Sequence, residues 1–196
     1  MNVLKARILK EGRNLGNGIL KVDGFLNHQI DPVLLDACGR ELASRFASAR
    51  ATKVLTAEIS GIAPALSTAF HLGVPVVYAR RERPVTMPDQ VLLTVAPSHT
   101  KRHQTELIVS PEYLGPRDRV LIVDDFLATG QTILGLARLA RAAGATLVGI
   151  GAVIEKAFEE VRRALAVCDV PIESLAVVAR MSEGEIELAS PPPART

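Results

Sequence analysis

The feature that most constrains the fold of this 196-residue chain is the segment at positions 120–132, which reads VLIVDDFLATGQT. Its four leading apolar residues are typical of a strand buried on both faces of a sheet. Two carboxylates follow the strand, and a turn of small and hydroxyl-bearing residues then leads into a helical pattern. In an open parallel sheet, ligands bind in the crevice beyond the carboxyl ends of the strands. The segment therefore predicts a ligand site at the end of a central strand.

The turn in this segment has the features of an anion site. The first N–H groups of a helix lack partners within the helix and attract anions such as phosphate. Thr129 and Thr132 add hydroxyls, and Gly130 lets a ligand approach the backbone. Asp124 and Asp125 would repel each other there unless ribose hydroxyls, Mg²⁺ or developing positive charge lay beside them. Because the whole string is so specific, we favour this interpretation over a capping turn with two solvated carboxylates.

The rest of the chain alternates strand-like and helix-like blocks, which places it in the α/β class. Asp31 and Pro32 are suited to begin a helix, and Gly73 and Gly144 are suited to end helices. Strand–helix–strand order predicts a parallel central sheet flanked by helices. We predict helices at 33–47, 62–72, 132–143 and 158–167, and strands at 53–57, 74–78, 120–123, 147–154 and 175–179.

Two further strands, 91–95 and 106–109, have no helix between them. We expect them to pair as an antiparallel hairpin that carries a mobile polar loop. The length suits one domain. Within it, residues 1–50 form a small N-terminal hood and the first helix, and residues 51–180 form the core. Three consecutive prolines predict a disordered tail at 190–196.

Composition and charge exclude several functional classes. A net charge of +2 gives no basis for a nucleic-acid-binding surface. The longest apolar run, at 147–154, is far too short to span a bilayer, and no signal peptide is visible at the start of the sequence. Cys38 and Cys168 lack metal-ligand spacing and are interpreted as buried or incidental thiols. We expect a cytoplasmic protein that binds neither membranes nor nucleic acid.

The segment at 120–132 closely resembles the phosphoribosyl diphosphate signature of type I phosphoribosyltransferases. The resemblance implies that fold, with the hairpin and the hood as its additions. It also implies catalytic roles for Asp124 and Asp125, which face the ribose hydroxyls and help to place a Mg²⁺–diphosphate group. In this family Mg²⁺ arrives with the substrate rather than on a stable set of protein ligands. The residues implied for the 5′-phosphate are Ala128, Thr129, Gly130, Gln131 and Thr132.

Three other segments stand where the family has its remaining diphosphate contacts. Residues 56–62 match the diphosphate loop, and residues 98–102 match the flexible lid that closes over the reacting centre. The basic run at 80–83 matches cations that reach the diphosphate of the neighbouring subunit, which implies a homodimer. Each segment taken alone is equally compatible with an ordinary loop, so their order along the chain carries the inference. The implied contacts are Glu58, Ser60, Gly61, Arg80, Arg81 and Lys101.

Residues 15–32 and 153–158 resemble the members of the family that act on xanthine in bacterial purine salvage. That resemblance implies Leu20, Asn27 and Lys156 as the contacts of the base. Lysine only donates, and asparagine both donates and accepts, so the pair suits a 6-oxopurine with carbonyl acceptors better than adenine. Without the resemblance, a surface lysine and a turn asparagine would be the simpler interpretation.

The expected reaction transfers phosphoribosyl to N9 of xanthine and yields xanthosine 5′-monophosphate and diphosphate. Two alternatives remain within the same architecture, an adenine enzyme and a hypoxanthine-guanine enzyme. Ala128 argues against the second, because those enzymes place an acid at that position. We therefore name no general acid or base. A third alternative is a regulator that only senses phosphoribosyl diphosphate, but no DNA-binding module is visible in the sequence.

Overall fold

The computed structural model describes residues 1–97, 104–182 and 184–189. The helices of this part of the chain are α1 (Asn2–Glu11), α2 (Pro32–Arg45), α3 (Ile62–Leu72), α4 (Gln131–Ala142) and α5 (Val161–Leu165). Its strands are β1 (Arg13–Asn14), β2 (Leu20–Lys21), β3 (Lys53–Ala57), β4 (Val76–Ala79), β5 (Leu92–Pro97), β6 (Gln104–Val109), β7 (Arg119–Leu127), β8 (Thr146–Lys156), β9 (Ile172–Ser182) and β10 (Glu185–Leu188).

The central sheet has six strands in the order β10-β9-β8-β7-β3-β4. Five neighbouring strands of this sheet, β9, β8, β7, β3 and β4, pair in parallel, which confirms the α/β class and the parallel core of the sheet. The short strand β10 was not predicted, and it turns back to pair antiparallel with β9 at the edge of the sheet. β5 and β6 form the predicted antiparallel hairpin, in which Leu92 lies opposite Val109.

Alternate side chains of β7 point into two separate cores, one on each face of the sheet. Leu121 and Val123 pack with buried residues of α1, α2 and α3, whereas Val120 and Ile122 pack with α4 and the hairpin. This two-sided burial explains why the strand reads as a continuous apolar run. It also holds the carboxyl end of β7, where Asp124 lies, between two packed layers.

Local sequence signals predicted the first and last residues of some elements correctly. α3 and β3 have the predicted bounds, and α2 begins at Pro32 after an Asp31 cap. The Asp31 Oδ1 atom accepts from the N–H groups of Val33 and Leu34, both at 3.1 Å. Gly73 ends α3 in the left-handed conformation.

The predicted helix at 158–167 was wrong. The segment forms a 3₁₀ turn at Ala157–Glu159, the short α5, and a second 3₁₀ turn at Ala166–Cys168. Glu160 adopts φ of 51°, and this left-handed residue separates the first turn from α5.

Helix α1 was also unpredicted. It buries only Leu4 and Ile8, so its apolar stripe is too narrow to detect in the sequence. The lid prediction at 98–102 and the tail prediction at 190–196 fall outside the described residues. No helix among the described residues is long and apolar enough to cross a membrane.

Candidate active site

A cleft of about 680 Å³ lies beyond the carboxyl ends of β3, β7 and β8, under the hood that carries β2. This is the edge of a parallel sheet at which ligands bind. Most of the side chains singled out in the sequence line it. They are Leu20, Asn27, Glu58, Ser60, Arg81, Asp124, Asp125, Ala128, Thr129, Gly130, Gln131, Thr132 and Lys156.

The turn at 128–132 presents the N-terminus of α4 to this cleft. Gly130 precedes the helix with φ of 77°, in the left-handed region that favours glycine. A Cβ atom there would also lie 3.1 Å from Val161 and 3.2 Å from Leu165. No side chain caps this end of α4, so its first N–H groups face the cleft without a side-chain acceptor. The turn is therefore built to receive an anion.

The paired carboxylates lie at the floor of the cleft and are almost fully buried. Asp124 is 8% exposed and Asp125 is 5% exposed. The Asp125 N–H group donates to Asp124 Oδ1 at 2.9 Å. Burial, and then the neighbouring Asp125 carboxylate, raise the pKa of Asp124 well above its usual range, while the charge of Arg81 acts in the opposite direction. A ligand with hydroxyls or positive charge would stabilise Asp124 in its ionised form.

The loop between β3 and α3 packs directly against Asp124. A Cβ atom on Gly61 would lie 2.5 Å from Asp124 Oδ1, and it would also collide with the Thr56 hydroxyl. That hydroxyl is buried and has no hydrogen-bond partner among the described residues. Glu58 fixes the start of the loop, because its Oε1 atom accepts a hydrogen bond from the backbone N–H group of Arg81 at 2.7 Å. The peptide bond between Glu58 and Ile59 is cis.

The opposite end of the cleft is closed by contacts between the hood and the sheet. Lys156 Nζ donates to the Gly18 carbonyl at 2.7 Å and lies 3.5 Å from Glu159 Oε1. It also lies 5.6 Å from the centre of the Phe126 ring. Lys156 ends β8, and its side chain is only 13% exposed, so the interpretation as a surface helix residue does not hold. The Gly18 carbonyl uses one of its three N–H donors and Glu159 lies at ion-pair distance, so Lys156 keeps a donor for a ligand.

An ion pair between buried Glu155 and half-exposed Arg162 supports the strand behind Lys156. The Glu155 side chain is 3% exposed, and both of its oxygens accept from Arg162, each at 2.8 Å. Arg162 also donates to the Ile172 carbonyl of β9 at 3.2 Å. Two parallel N–H···O bonds give this pair a defined geometry. The segment that carries Glu159 is thereby held against the sheet.

Two of the predicted residues that the structure describes do not line the cleft. Gly61 packs behind Asp124, and Arg80 lines a separate cavity, where its guanidinium lies 5.8 Å from the Tyr78 ring. Lys101 falls outside the described residues. Phe126 and Gly18 were missed by the sequence analysis. Phe126 directly follows the two carboxylates, and Gly18 closes a Gly-Asn-Gly turn, so both carried a signal.

The sheet order, the uncapped turn before α4 and the two buried carboxylates together form a site suited to an anionic ligand that also carries hydrogen-bond donors or positive charge. A sequence profile described as "Phosphoribosyl transferase domain" matches residues 34–177. The chain belongs to the phosphoribosyltransferase family.

Three relatives in this family are similar to the chain over almost its whole length. The chain is 48% identical over 187 residues to the xanthine phosphoribosyltransferase of Moorella thermoacetica, covering 95% of each chain. It is 50% identical over 186 residues to the xanthine phosphoribosyltransferase of Geobacillus thermodenitrificans, covering 95% of this chain and 96% of that one. The enzyme of that name from Deinococcus deserti is 50% identical over 184 residues, with 94% and 95% covered.

Solved structures confirm the fold. The adenine phosphoribosyltransferase of Rhodothermus marinus superposes with a TM-score of 0.72 at 25% identity, over 90% of this chain and 99% of that one. The adenine enzyme of Trypanosoma brucei gives a TM-score of 0.74 at 19% identity, over 89% and 78%. The adenine enzymes therefore share the architecture, while the xanthine enzymes share far more of the sequence.

Proposed function

We propose that this chain transfers the 5-phosphoribosyl group from phosphoribosyl diphosphate to N9 of xanthine. The products are xanthosine 5′-monophosphate and diphosphate. The observation that carries the proposal is a single cleft that joins the uncapped turn and the carboxylates to Asn27 and Lys156. The choice of xanthine is supported by near-50% identity, over almost the whole chain, to enzymes of that name.

In the proposed complex, the turn at 128–132 binds the 5′-phosphate through backbone N–H groups and the two threonine hydroxyls. This fixes one end of the ribose at the amino end of α4, where the helix dipole favours negative charge. Asp124 and Asp125 then face the ribose hydroxyls, which supply the hydrogen-bond donors that two adjacent carboxylates need. The loop that includes Ser60 and Gly61 faces the diphosphate, and Arg81 adds a positive charge on the same side of the cleft.

The reaction forms one bond and breaks one bond. N9 of the base attacks the anomeric carbon, and the bond from that carbon to the diphosphate oxygen breaks, with its electron pair leaving on the diphosphate. The proton displaced from the base passes to solvent. Positive charge develops on the ribose ring as the diphosphate departs, and Asp124 and Asp125 lie beside it. The protein acts mainly by positioning and electrostatics.

The described residues fit a Mg²⁺ ion that arrives with the diphosphate. Asp124 and Asp125 offer hard carboxylate oxygens in the cleft, and Mg²⁺ in proteins is commonly held by substrate phosphates with one or two carboxylates nearby. When bound, the ion neutralises part of the charge on the leaving diphosphate. We assign it no permanent set of protein ligands.

At the other end of the cleft, Lys156 and Asn27 contact the base, and Leu20 packs against it from the hood. Lys156 enters this role already anchored by Gly18, so its ammonium is held in place before the base binds. The remaining N–H donor of Lys156 suits a carbonyl oxygen of the purine. Adenine has no such carbonyl and would place its amino donor against a donor.

The homodimer remains part of the proposal. Ile59, Leu66 and Phe70 expose 79%, 60% and 77% of their surfaces next to the diphosphate loop, and Leu66 and Phe70 share one face of α3. An apolar patch in this place suits a second copy of the chain. Arg80 would then contact the diphosphate bound to the neighbouring subunit, and Lys101, which belongs to the predicted lid, would contact the diphosphate as well. These two roles and the cytoplasmic location stay predictions.

The first experiment supplies purified protein with phosphoribosyl diphosphate, Mg²⁺ and one base at a time, and follows nucleotide formation. We expect kcat/KM for xanthine to be well above that for guanine, hypoxanthine or adenine. Preference for another base would overturn the assignment of the base pocket but keep the reaction class. No turnover with any purine would favour a sensor of phosphoribosyl diphosphate over an enzyme.

A further inference from the structure

One hydrogen bond joins the two halves of the cleft. Asn27 Nδ2 on the hood donates to Asp125 Oδ2 on β7 at 3.0 Å, across 98 positions of sequence. Asp125 is 5% exposed, so this contact forms in a largely water-free place. A residue predicted to contact the base is thus tied to one predicted to face the ribose.

The contact decides which way the Asn27 amide points. An ionised carboxylate only accepts hydrogen bonds, so the NH₂ group of Asn27 must face Asp125. The Asn27 carbonyl oxygen, on the other branch of the amide, is then directed away from Asp125. Both residues line the cleft, so the oxygen is offered to a ligand there as an acceptor. An asparagine alone could offer either group, and Asp125 removes that choice.

An acceptor beside the ribose matches one edge of xanthine. Ring position 3 of a purine is separated from N9 by a single carbon, so it is the six-membered-ring edge next to the sugar. Neutral xanthine carries N–H at this position and a carbonyl at position 2. Hypoxanthine has a bare acceptor nitrogen at position 3 and only C–H at position 2. The Asn27 oxygen accepts from the first group, and the Lys156 donor suits the second.

We infer that Asp125 is a positioning residue for base selection, which acts by fixing Asn27 as an acceptor towards N3–H of the base. The inference rests on the proposed function. Asp125 then has two separable effects, one on turnover with every base and one on the choice among bases. Asp124, whose carboxylate accepts from the Asp125 N–H group, has only the first.

The test uses the ratio of kcat/KM for xanthine to that for hypoxanthine, because a general loss of turnover cancels in this ratio. Asp125→Asn allows the side chain at position 125 to donate as well as accept, so the Asn27 amide is free to rotate and to present either its oxygen or its NH₂ group to the ligand. We expect the ratio to fall about tenfold, the size of one hydrogen bond. Asp124→Asn is the matched control, and it should lower turnover while leaving the ratio unchanged.

A double variant separates a relay from two independent effects. Asn27→Ala should lower the ratio by itself, and adding Asp125→Asn should lower it no further. An unchanged ratio in Asp125→Asn, or a further fall in the double variant, would overturn the inference. Calorimetric binding of xanthine and hypoxanthine to each variant gives the same comparison without turnover. A wild-type enzyme that does not prefer xanthine would instead overturn the proposed function.

Discussion

The end of the cleft proposed to bind phosphate, here called the phosphate end, comes from one continuous segment, whereas the end proposed to bind the base, here called the base end, is assembled from parts that are distant in sequence. Residues 124–132 supply both carboxylates and the turn, and β7 and α4 hold them from either side. At the base end, Gly18 and Lys156 are 138 positions apart and meet through one hydrogen bond. The phosphate end depends on local geometry, and the base end depends on how the hood docks on the sheet.

From this difference we expect that base preference can change while the fold is kept. The phosphoribosyltransferases of Rhodothermus marinus and Trypanosoma brucei share the architecture of this chain. They are named for adenine, whereas relatives more similar in sequence are named for xanthine. The hood residues that line the cleft lie on a different segment from β7 and the turn, so these residues can change without altering either. Variants at the two ends should therefore fail in different ways, one with every base and the other with particular bases.

The largest effect is expected from changing both carboxylates of the phosphate end. Asp124→Asn with Asp125→Asn removes the negative charge beside the ribose and should lower kcat on the order of 10³-fold. Steady-state kinetics should show a large loss with xanthine, guanine and hypoxanthine alike, and the loss in kcat/KM should be about tenfold greater for xanthine than for hypoxanthine, because the change at Asp125 also releases Asn27. Retained activity in the double variant would contradict the electrostatic mechanism while leaving the fold assignment intact.

A smaller and base-dependent effect is expected at the other end. Lys156→Ala removes a charge-assisted hydrogen bond and the anchor of Gly18, so kcat/KM for xanthine should fall about ten- to a hundredfold, or about 1.5–3 kcal/mol. The KM for phosphoribosyl diphosphate should stay unchanged. Lys21→Ala is the control, because that hood lysine is 45% exposed and pairs with Asp23. Unchanged kinetics with xanthine would remove Lys156 from the base pocket.

The smallest effect concerns stability. Because burial raises the pKa of Asp124, the folded chain holds its proton more tightly than the unfolded chain does. The free energy of unfolding therefore falls as pH rises above the ordinary carboxyl range, until Asp124 ionises in the folded state. Asp124→Asn removes this loss, and calorimetry at neutral pH should show a Tm higher by about 2–4 °C.

Asp118→Asn provides the opposite sign. Burial opposes ionisation of Asp118, but the Gly115 N–H group and Lys53 outweigh it and lower the pKa of this carboxyl. Its charge therefore stabilises the fold above the ordinary carboxyl range, and the Asn variant should have a lower Tm. A lower Tm for both variants would contradict the prediction, because it would mean that the buried Asp124 carboxylate does not destabilise the fold.

The sequence predicted the strand, the turn and the position in the cleft of residues 124–132, because each of these signals is local. An apolar strand, two acids and a glycine before a helix can all be read within residues 120–132. The base end was identified by resemblance, and the residues named there do line the cleft. The bonds that orient them, from Asn27 to Asp125 and from Lys156 to Gly18, could not be predicted, because no local pattern states which distant groups meet.

The errors have the same cause. α1 carries only two buried residues, and β10 is a four-residue strand whose partner is set by the fold. The broken helix near α5 depends on the left-handed Glu160 and on the bond from Arg162 to Glu155, which lies seven positions earlier on another element. In α1 the local signal was too weak, and in the other two cases tertiary contacts outweighed the local pattern.

The close packing of Gly61 against Asp124 bears on how this protein tolerates mutation. Every substitution at position 61 adds a Cβ atom, and the space for that atom is already taken by the Asp124 carboxylate and the Thr56 hydroxyl. A saturation library selected for growth on xanthine should therefore leave position 61 as invariant as Asp124 and Asp125, the two carboxylates proposed to act in catalysis. The residue with no side chain would then rank among the least replaceable in the chain.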